Sequence, residues 1–263
     1  MQWQGTTTVI TGASRGIGRA VALAAAAKGA RVGLIARDKA DLEAVLDETG
    51  GRGAIAVADV AAPEAIAAAI YALETTLGPV DVLVANAGIG AYGAFADTTA
   101  DEIERIVRVN VLGTAHAIRA VVPGMIERRR GHIVTIGSIA GRLGSPFEAI
   151  YSATKFAGVG LTESLVVELE PFGIGVSLVN PGPVATHFGE ARGHPYDRAR
   201  PKPVPAAQVA TAVIKAVEGN RREQYVPGTF RPAVSIRHLL PPLFRWGSKQ
   251  SFRQELAADR AAR

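Results

Sequence analysis

The chain has 263 residues, 48% of them hydrophobic and 20% charged, which is enough for a sizeable core and compatible with one or two domains. It has no cysteine, which excludes disulfides, thiolate catalysis and cysteine-based metal sites and suits a reducing compartment, so a cytoplasmic location is expected. The net charge of +5 gathers in residues 220–263, where nine Lys/Arg stand against three Asp/Glu; the remaining residues are close to neutral, so the charge argues for no nucleic-acid partner.

Met1-Gln2-Trp3-Gln4-Gly5 shows no basic region followed by an apolar run, so no signal peptide is expected. No run of 18 uncharged apolar residues occurs, so no spanning helix is expected either. Strand patterns fall at 6–12, 31–37, 53–60, 80–87, 131–138, 175–182 and 222–227. Helix patterns fall at 16–28, 39–49, 62–77, 99–129, 151–171 and 205–218. The strands are almost continuously apolar, as in Val80-Asp81-Val82-Leu83-Val84-Ala85, which predicts parallel strands covered on both faces. The alternation predicts one α/β, doubly wound Rossmann domain with a seven-stranded parallel sheet and helices on both faces. That domain is expected over 1–228, followed by a basic extension, 229–263, packed on or near it.

The first strand runs into Thr11-Gly12-Ala13-Ser14-Arg15-Gly16-Ile17-Gly18 and then an Ala-rich helix. Gly12, Gly16 and Gly18 would allow a tight turn, close approach of a pyrophosphate and close helix packing. The helix N-terminus would add free N–H groups for phosphate. The second strand ends at Ala36 and is followed by Arg37 and Asp38. Arg37 and Arg15 suit the 2′-phosphate of NADP(H), favoured here over NAD(H). Asp38 could instead pair with Arg37 or touch a ribose.

Tyr151 and Lys155 stand four residues apart, on one face of the predicted helix. An ammonium beside a phenol lowers the phenol pKa, making Tyr151 a candidate proton donor or acceptor. Ser138, at the end of a strand, would stand with it at the carboxyl edge of the sheet, where open α/β sheets bind ligands. Taken singly, Ser138 reads as a strand-end cap, Asn110 as a helix surface residue and Asn86 as a turn former. The five histidines lack metal-binding spacing and no metal is expected.

Residues 11–18, Asn86-Ala87-Gly88, Asn110, Ser138, Tyr151/Lys155 and Pro181-Gly182 together resemble the short-chain dehydrogenase/reductase family, in its short single-domain branch. The resemblance implies an oxidoreductase interconverting a ketone or aldehyde and an alcohol, with NADP(H) as the cofactor that Arg15 and Arg37 favour. It implies that the loop residues Gly12, Ser14, Arg15, Gly16, Ile17 and Gly18 bind the cofactor, with Pro181 and Gly182 beside it. It places Asp59 on the adenine amino group with the Val60 backbone adjacent, and Asn86 and Gly88 on the adenosine side. Ser138 would bond the substrate oxygen and Tyr151 would transfer the proton. Lys155 would bond the nicotinamide ribose, Asn110 would hold a relay water through its backbone, and Thr186 would bond the carboxamide. The family also implies a lid after Thr186, a mobile substrate loop at about 187–205.

Ala140, Leu143, Phe147 and Phe188 are candidate substrate contacts, suggesting a mostly hydrophobic alcohol or carbonyl compound. In the family that the chain resembles, the long helices corresponding to 99–129 and 151–171 pair with their copies across a two-fold axis, which implies the same pairing here. A homodimer is favoured over a tetramer because residues after Gly228 could block the second interface. Leu239-Leu240-Pro241-Pro242-Leu243-Phe244-Arg245-Trp246 would pack on the body or over the cleft mouth, or rest on an anionic membrane as a peripheral contact. Residues 248–263 read as a capped amphipathic helix. A non-catalytic dinucleotide-binding sensor or scaffold is the competing reading.

Overall fold

Strand residues that are apolar on both faces need helices on both faces, and the computed structural model provides them. It describes residues 1–196 and 201–263. In chain order the elements are β1 (Thr7–Thr11), α1 (Gly16–Ala27), β2 (Arg31–Ala36), α2 (Lys39–Glu48), β3 (Gly53–Val57), α3 (Pro63–Leu77) and β4 (Val82–Ala85). Then come α4 (Ala100–Val107), α5 (Gly113–Arg128), β5 (Gly131–Ile136), α6 (Ala140–Leu143), α7 (Ala149–Leu169) and β6 (Ile174–Pro181). The chain continues with β7 (Val184–Ala185), α8 (Phe188–Ala191), β8 (Val204–Pro205), α9 (Ala206–Glu218) and β9 (Glu223–Val226). It closes with α10 (Arg231–Leu239), α11 (Pro241–Ser251) and α12 (Arg253–Ala262).

Seven strands form one parallel sheet in the order β3-β2-β1-β4-β5-β6-β9, as the alternating pattern predicts. Strand order reverses between β1 and β4, so a crevice opens at the carboxyl ends of those strands. One core lies under α1, α2 and α9, built on Val21, Leu42 and Val213 with Ile10, Leu34 and Val134. The other lies under α3, α5 and α7, built on Ile66, Leu73 and Met125 with Val9, Leu83 and Ile133. β7 and β8 pair separately, a feature with too few residues for a pattern to reveal.

The run 100–128 is continuous helix, with a π-turn at Arg108–Leu112 between α4 and α5. Thr99 caps it by accepting from Glu102 N at 3.2 Å. Within its 29 residues one 18-residue stretch has a mean hydropathy of 1.3, long and apolar enough to cross a membrane by length and composition alone. Its Ile106, Ala117, Ile118, Val121 and Met125 are nevertheless buried inside the fold. The single helix expected over 248–263 is corrected. Ser248 is interior to α11, and the chain breaks helical geometry at Phe252 (φ −111°, ψ 19°) before α12 begins. Residues 197–200 of the expected loop lie outside the described residues. Within the rest of that loop, α8 and β8 form.

Candidate active site

The glycine loop is held where β1 meets α1. Gly12 has φ +65°, and a Cβ there would come within 2.9 Å of Ala87 Cα. A Cβ on Gly18 would collide with the Gly12 carbonyl oxygen, so this glycine serves helix packing behind the cleft wall rather than ligand contact. Asn86 Nδ2 donates to Thr11 O at 2.9 Å and to Gly12 O at 3.0 Å. Thr11 Oγ1 in turn accepts from Asn86 N and Ala87 N. The Asn86 amide therefore ties β4 to the glycine loop. Ser14, Arg15, Gly16 and Ile17 face a cleft of about 1920 Å³, well above the size of a drug-sized ligand pocket. The cradle, the bare N-terminus of α1 and this volume fit a dinucleotide with room for a small substrate.

At the end beside β2 and β3, Arg15, Arg37, Asp59 and Val60 all line the cleft. Asp38 does not pair with Arg37. It caps α2, its carboxylate accepting from Asp41 N at 2.9 Å. Arg15 forms an exposed ion pair with Asp41, a partner the sequence reading did not assign. Arg37 has no ion pair among the described residues. One Asp59 oxygen is engaged locally, accepting from Ala61 N at 2.9 Å.

At the other end, β5 delivers Ser138 just past its last residue and α7 presents Tyr151 and Lys155 one turn apart. Ser138 Oγ accepts from Ala140 N at 3.1 Å, and the Ser138 hydroxyl acts on the Tyr151 phenol in the direction that favours the phenolate. Lys155 Nζ donates to Ile136 O at 2.9 Å and stands 5.7 Å from the centre of the Tyr151 ring. The expected lowering of the Tyr151 pKa does not appear. Burial pushes it up to about 12, the Ser138 hydroxyl opposes this, Glu148 adds to the rise and Arg192 reduces it. Burial also pulls Lys155 down to about 8, so this ammonium is itself costly to charge.

Asn110 lies behind the wall, in the π-turn. Its Nδ2 donates to Ile89 O (2.8 Å) and Thr154 Oγ1 (3.0 Å), and its Oδ1 accepts from Ile89 N (2.8 Å). The side chain is thus a strut. The backbone carbonyl accepts from Thr114 Oγ1 at 2.8 Å and has a second lone pair. Gly88 is on the catalytic side rather than the adenosine side: a Cβ there would lie 3.3 Å from Asn110 Oδ1 and 3.6 Å from Lys155 Nζ. Pro181, Gly182 and Thr186 line the cleft, with Thr186 Cγ2 packed against the Cβ position of Gly16.

Ala140, Leu143 and Phe188 also line the cleft, and the Phe188 ring stands 5.5 Å from that of Tyr151. Phe147 is not in the lining. Its backbone takes φ +63° and its ring stacks on Tyr92 at 5.7 Å. Two charged residues that the sequence reading missed line the cleft close to Tyr151: Glu148 and Arg192, which form an ion pair. They are 44 positions apart, and no local pattern links them. From the tail, Phe230, Ile236, Phe244 and Trp246 form part of the cleft wall. Among the described residues no cluster of His, Asp or Glu is arranged to hold a metal.

The class that this fold and site define is the dinucleotide-binding α/β oxidoreductases. A family profile described as short chain dehydrogenase matches residues 6–197. "Dehydrogenase/reductase SDR family member 7B" of Mus musculus is 35% identical over 252 residues, covering 90% of this chain and 78% of that protein. "Inactive 2-(S)-hydroxypropyl-CoM dehydrogenase 2" of Xanthobacter autotrophicus is 45% identical over 166 residues, covering 63% of this chain and 72% of that protein. A short chain dehydrogenase/reductase from Burkholderia phymatum, solved in complex with NAD, superposes with a TM-score of 0.84 at 29% identity, covering 92% of this chain and 96% of that one. The chain belongs to the short-chain dehydrogenase/reductase family.

Proposed function

We propose that this protein is an NADP(H)-dependent oxidoreductase that interconverts a hydrophobic ketone or aldehyde and the corresponding alcohol, with Tyr151 as acid and base. The observation that carries the reading is the convergence of Ser138, Tyr151 and Lys155 on one cleft that also holds the glycine loop, with Lys155 Nζ 5.7 Å from the centre of the Tyr151 ring. The bound nicotinamide would supply or accept the hydride and, when oxidised, add a positive charge near Tyr151.

In carbonyl reduction, negative charge builds on the substrate oxygen. The Ser138 and Tyr151 hydroxyls are placed to donate to that oxygen, and Tyr151 then gives up its proton. Its high pKa keeps it a phenol at neutral pH, the form that reduction requires. Lys155 uses one donor on Ile136 O and keeps others for a ribose hydroxyl, while its charge favours the phenolate left behind. The Asn110 carbonyl is suited to anchor a water that returns the proton. Phe188 and Leu143 exclude water from the reacting face.

Arg37, uncommitted to any acidic partner among the described residues, carries the NADP preference. Exposed apolar residues Leu112 on the 100–128 run and Val167 on α7 fit a homodimer formed through these helices. The test is a panel of ketones, aldehydes and alcohols with either cofactor, followed by the absorbance of reduced nicotinamide. Turnover that Tyr151→Phe abolishes, with cofactor binding retained, supports the proposal; equal turnover by the variant refutes it. The name of the Xanthobacter relative keeps a second reading in view, a dinucleotide-binding sensor. Cofactor binding without turnover of any panel member would favour it.

A further inference from the structure

We propose that the α10–α11 corner is a docking surface for an anionic lipid bilayer, with the mouth of the cleft beside it. The juxtaposition that carries this is an apolar, uncharged wedge at the rim of the cleft, flanked by basic residues. Leu239, Leu240, Pro241, Pro242 and Leu243 are five consecutive exposed residues at the corner where α10 meets α11. Leu239 is 77% exposed, and Trp246, one turn beyond Leu243, is 62% exposed. Exposing so much apolar surface in one short stretch opposes the hydrophobic effect unless something covers it.

The wedge is continuous with the cleft. Ile236, Leu243 and Trp246 both line the cleft and remain exposed on its outer side. The tail is fixed in that position by the body. Gly182 packs against the Phe230 ring, the Arg237 guanidinium lies 4.7 Å from the centre of the Phe156 ring, and Arg263 bonds Asp97 at 2.7 Å. The corner therefore protrudes from a packed extension.

Charge selects the partner. From residue 231 onward the chain has seven Lys/Arg and only two acids, Glu255 and Asp259. Arg245 and Lys249 are exposed on α11, the helix that carries Leu243 and Trp246. Apolar residues to enter the acyl boundary, a tryptophan suited to the headgroup level and cations beside them match an anionic interface. A second copy of the same patch would bring like charges together.

The experiment reads binding, not turnover, so it is independent of the proposed reaction. Full-length protein is mixed with vesicles of phosphatidylcholine, with or without phosphatidylglycerol, and floated on a gradient. The chain has two tryptophans, and Trp3 is buried, so a change in intrinsic fluorescence reports Trp246. The expected result is flotation with the anionic vesicles, weakened by salt, together with a shift of the emission to shorter wavelength. Leu239→Glu with Leu240→Glu should abolish flotation, and Arg245→Glu with Lys249→Glu should reduce it strongly, with unchanged melting temperatures showing that both variants fold. Equal binding to neutral vesicles, or no flotation of the wild type, would overturn the proposal. So would an assembly that Leu239→Glu with Leu240→Glu dissociates in the absence of lipid, which would assign the wedge to a second copy.

Discussion

Glu148, the residue that immediately precedes α7, forms an ion pair with Arg192, the residue that immediately follows α8. Both side chains are about nine-tenths buried. Glu148 also accepts from Ser145 Oγ at 2.7 Å, while Arg192 Nε donates to His194 O at 3.0 Å and its guanidinium lies 5.2 Å from the centre of the Tyr92 ring. The pair therefore fastens the segment after Thr186 to the helix that carries Tyr151 and Lys155. Removing one partner strands a buried charge, which costs more than removing both. Arg192→Ala should raise KM about tenfold or more and lower the melting temperature. Glu148→Gln combined with Arg192→Met should recover much of the stability, and a double-mutant cycle on both quantities checks this. Additive losses would show that the pair does not couple the two segments.

The charge on Lys155 is set against the stability of the fold. Burial lowers its pKa from 10.5 to about 8, so in the folded state the ammonium is disfavoured. Below pH 8 both folded and unfolded chains carry the proton and the cost is present in full. Between pH 8 and 10.5 the unfolded chain holds more protons, so this contribution to stability rises with pH. Lys155→Met should then melt higher than the wild type at pH 7, with the gap shrinking towards pH 10, while turnover is lost. A melting temperature lower than that of the wild type at pH 7 would contradict the role of burial.

Tyr151 leads to a directional pH dependence. With its pKa near 12, the phenol form prevails at neutral pH and serves carbonyl reduction. Alcohol oxidation needs the phenolate, so its kcat/KM should climb with pH, by up to about tenfold per unit where one proton is released. Reduction should not show that rise. Profiles of kcat/KM in both directions from pH 6 to 10 decide the matter, and a flat oxidation profile would remove Tyr151 as the titrating base.

Parts of the molecule written in local pattern were legible in the sequence, and parts made by distant pairing were not. The seven strands could be read because two covered faces demand near-continuous apolar runs, as in β4 and β5. The glycine loop could be read because Gly12 and Gly18 meet steric needs within one turn of chain. The direction of the Tyr151 pKa was misread because four-residue spacing conveys proximity to Lys155 but not the depth of burial, which here sets the direction. Glu148–Arg192, and Arg142 held by Glu163 and Glu223, join positions tens of residues apart. Asp38 was ambiguous because the same carboxylate can cap a helix or meet a ribose, and the structure shows one oxygen capping α2 while the residue still lines the cleft.

Arg37 provides a test of cofactor choice. It lines the cleft after β2 without an ion-pair partner among the described residues, whereas Arg15 is shared with Asp41. A 2′-phosphate would meet Arg37 as a charge-assisted hydrogen bond, worth roughly 1.5–3 kcal/mol. Arg37→Ala should weaken NADP(H) by about tenfold to a hundredfold and leave NAD(H) binding nearly unchanged, as calorimetric titration of both cofactors would show. Arg15→Ala should have a smaller effect, because Asp41 already engages that guanidinium. An equal loss for both cofactors in Arg37→Ala would contradict recognition of the 2′-phosphate.

His132 in β5 should govern part of the acid stability. Ser177 Oγ donates to Arg221 O at 2.7 Å, so it must accept from His132 Nε2, 2.8 Å away, which assigns the proton to that nitrogen. Burial lowers the His132 pKa from 6.5 to about 4, and the positive N-terminus contributes to the shift. Between these values the unfolded chain binds the proton and the folded chain does not. Stability from this residue is therefore complete above pH 6.5, falls as pH drops towards 4, and levels off below that. Carboxylates titrate in the same range, so the informative quantity is the difference between wild type and His132→Gln, which keeps a donor for Ser177 and cannot charge. Denaturant melts should show the wild type losing more stability than the variant between pH 6.5 and 4, and parallel curves over that interval would show that His132 is protonated without cost in the fold.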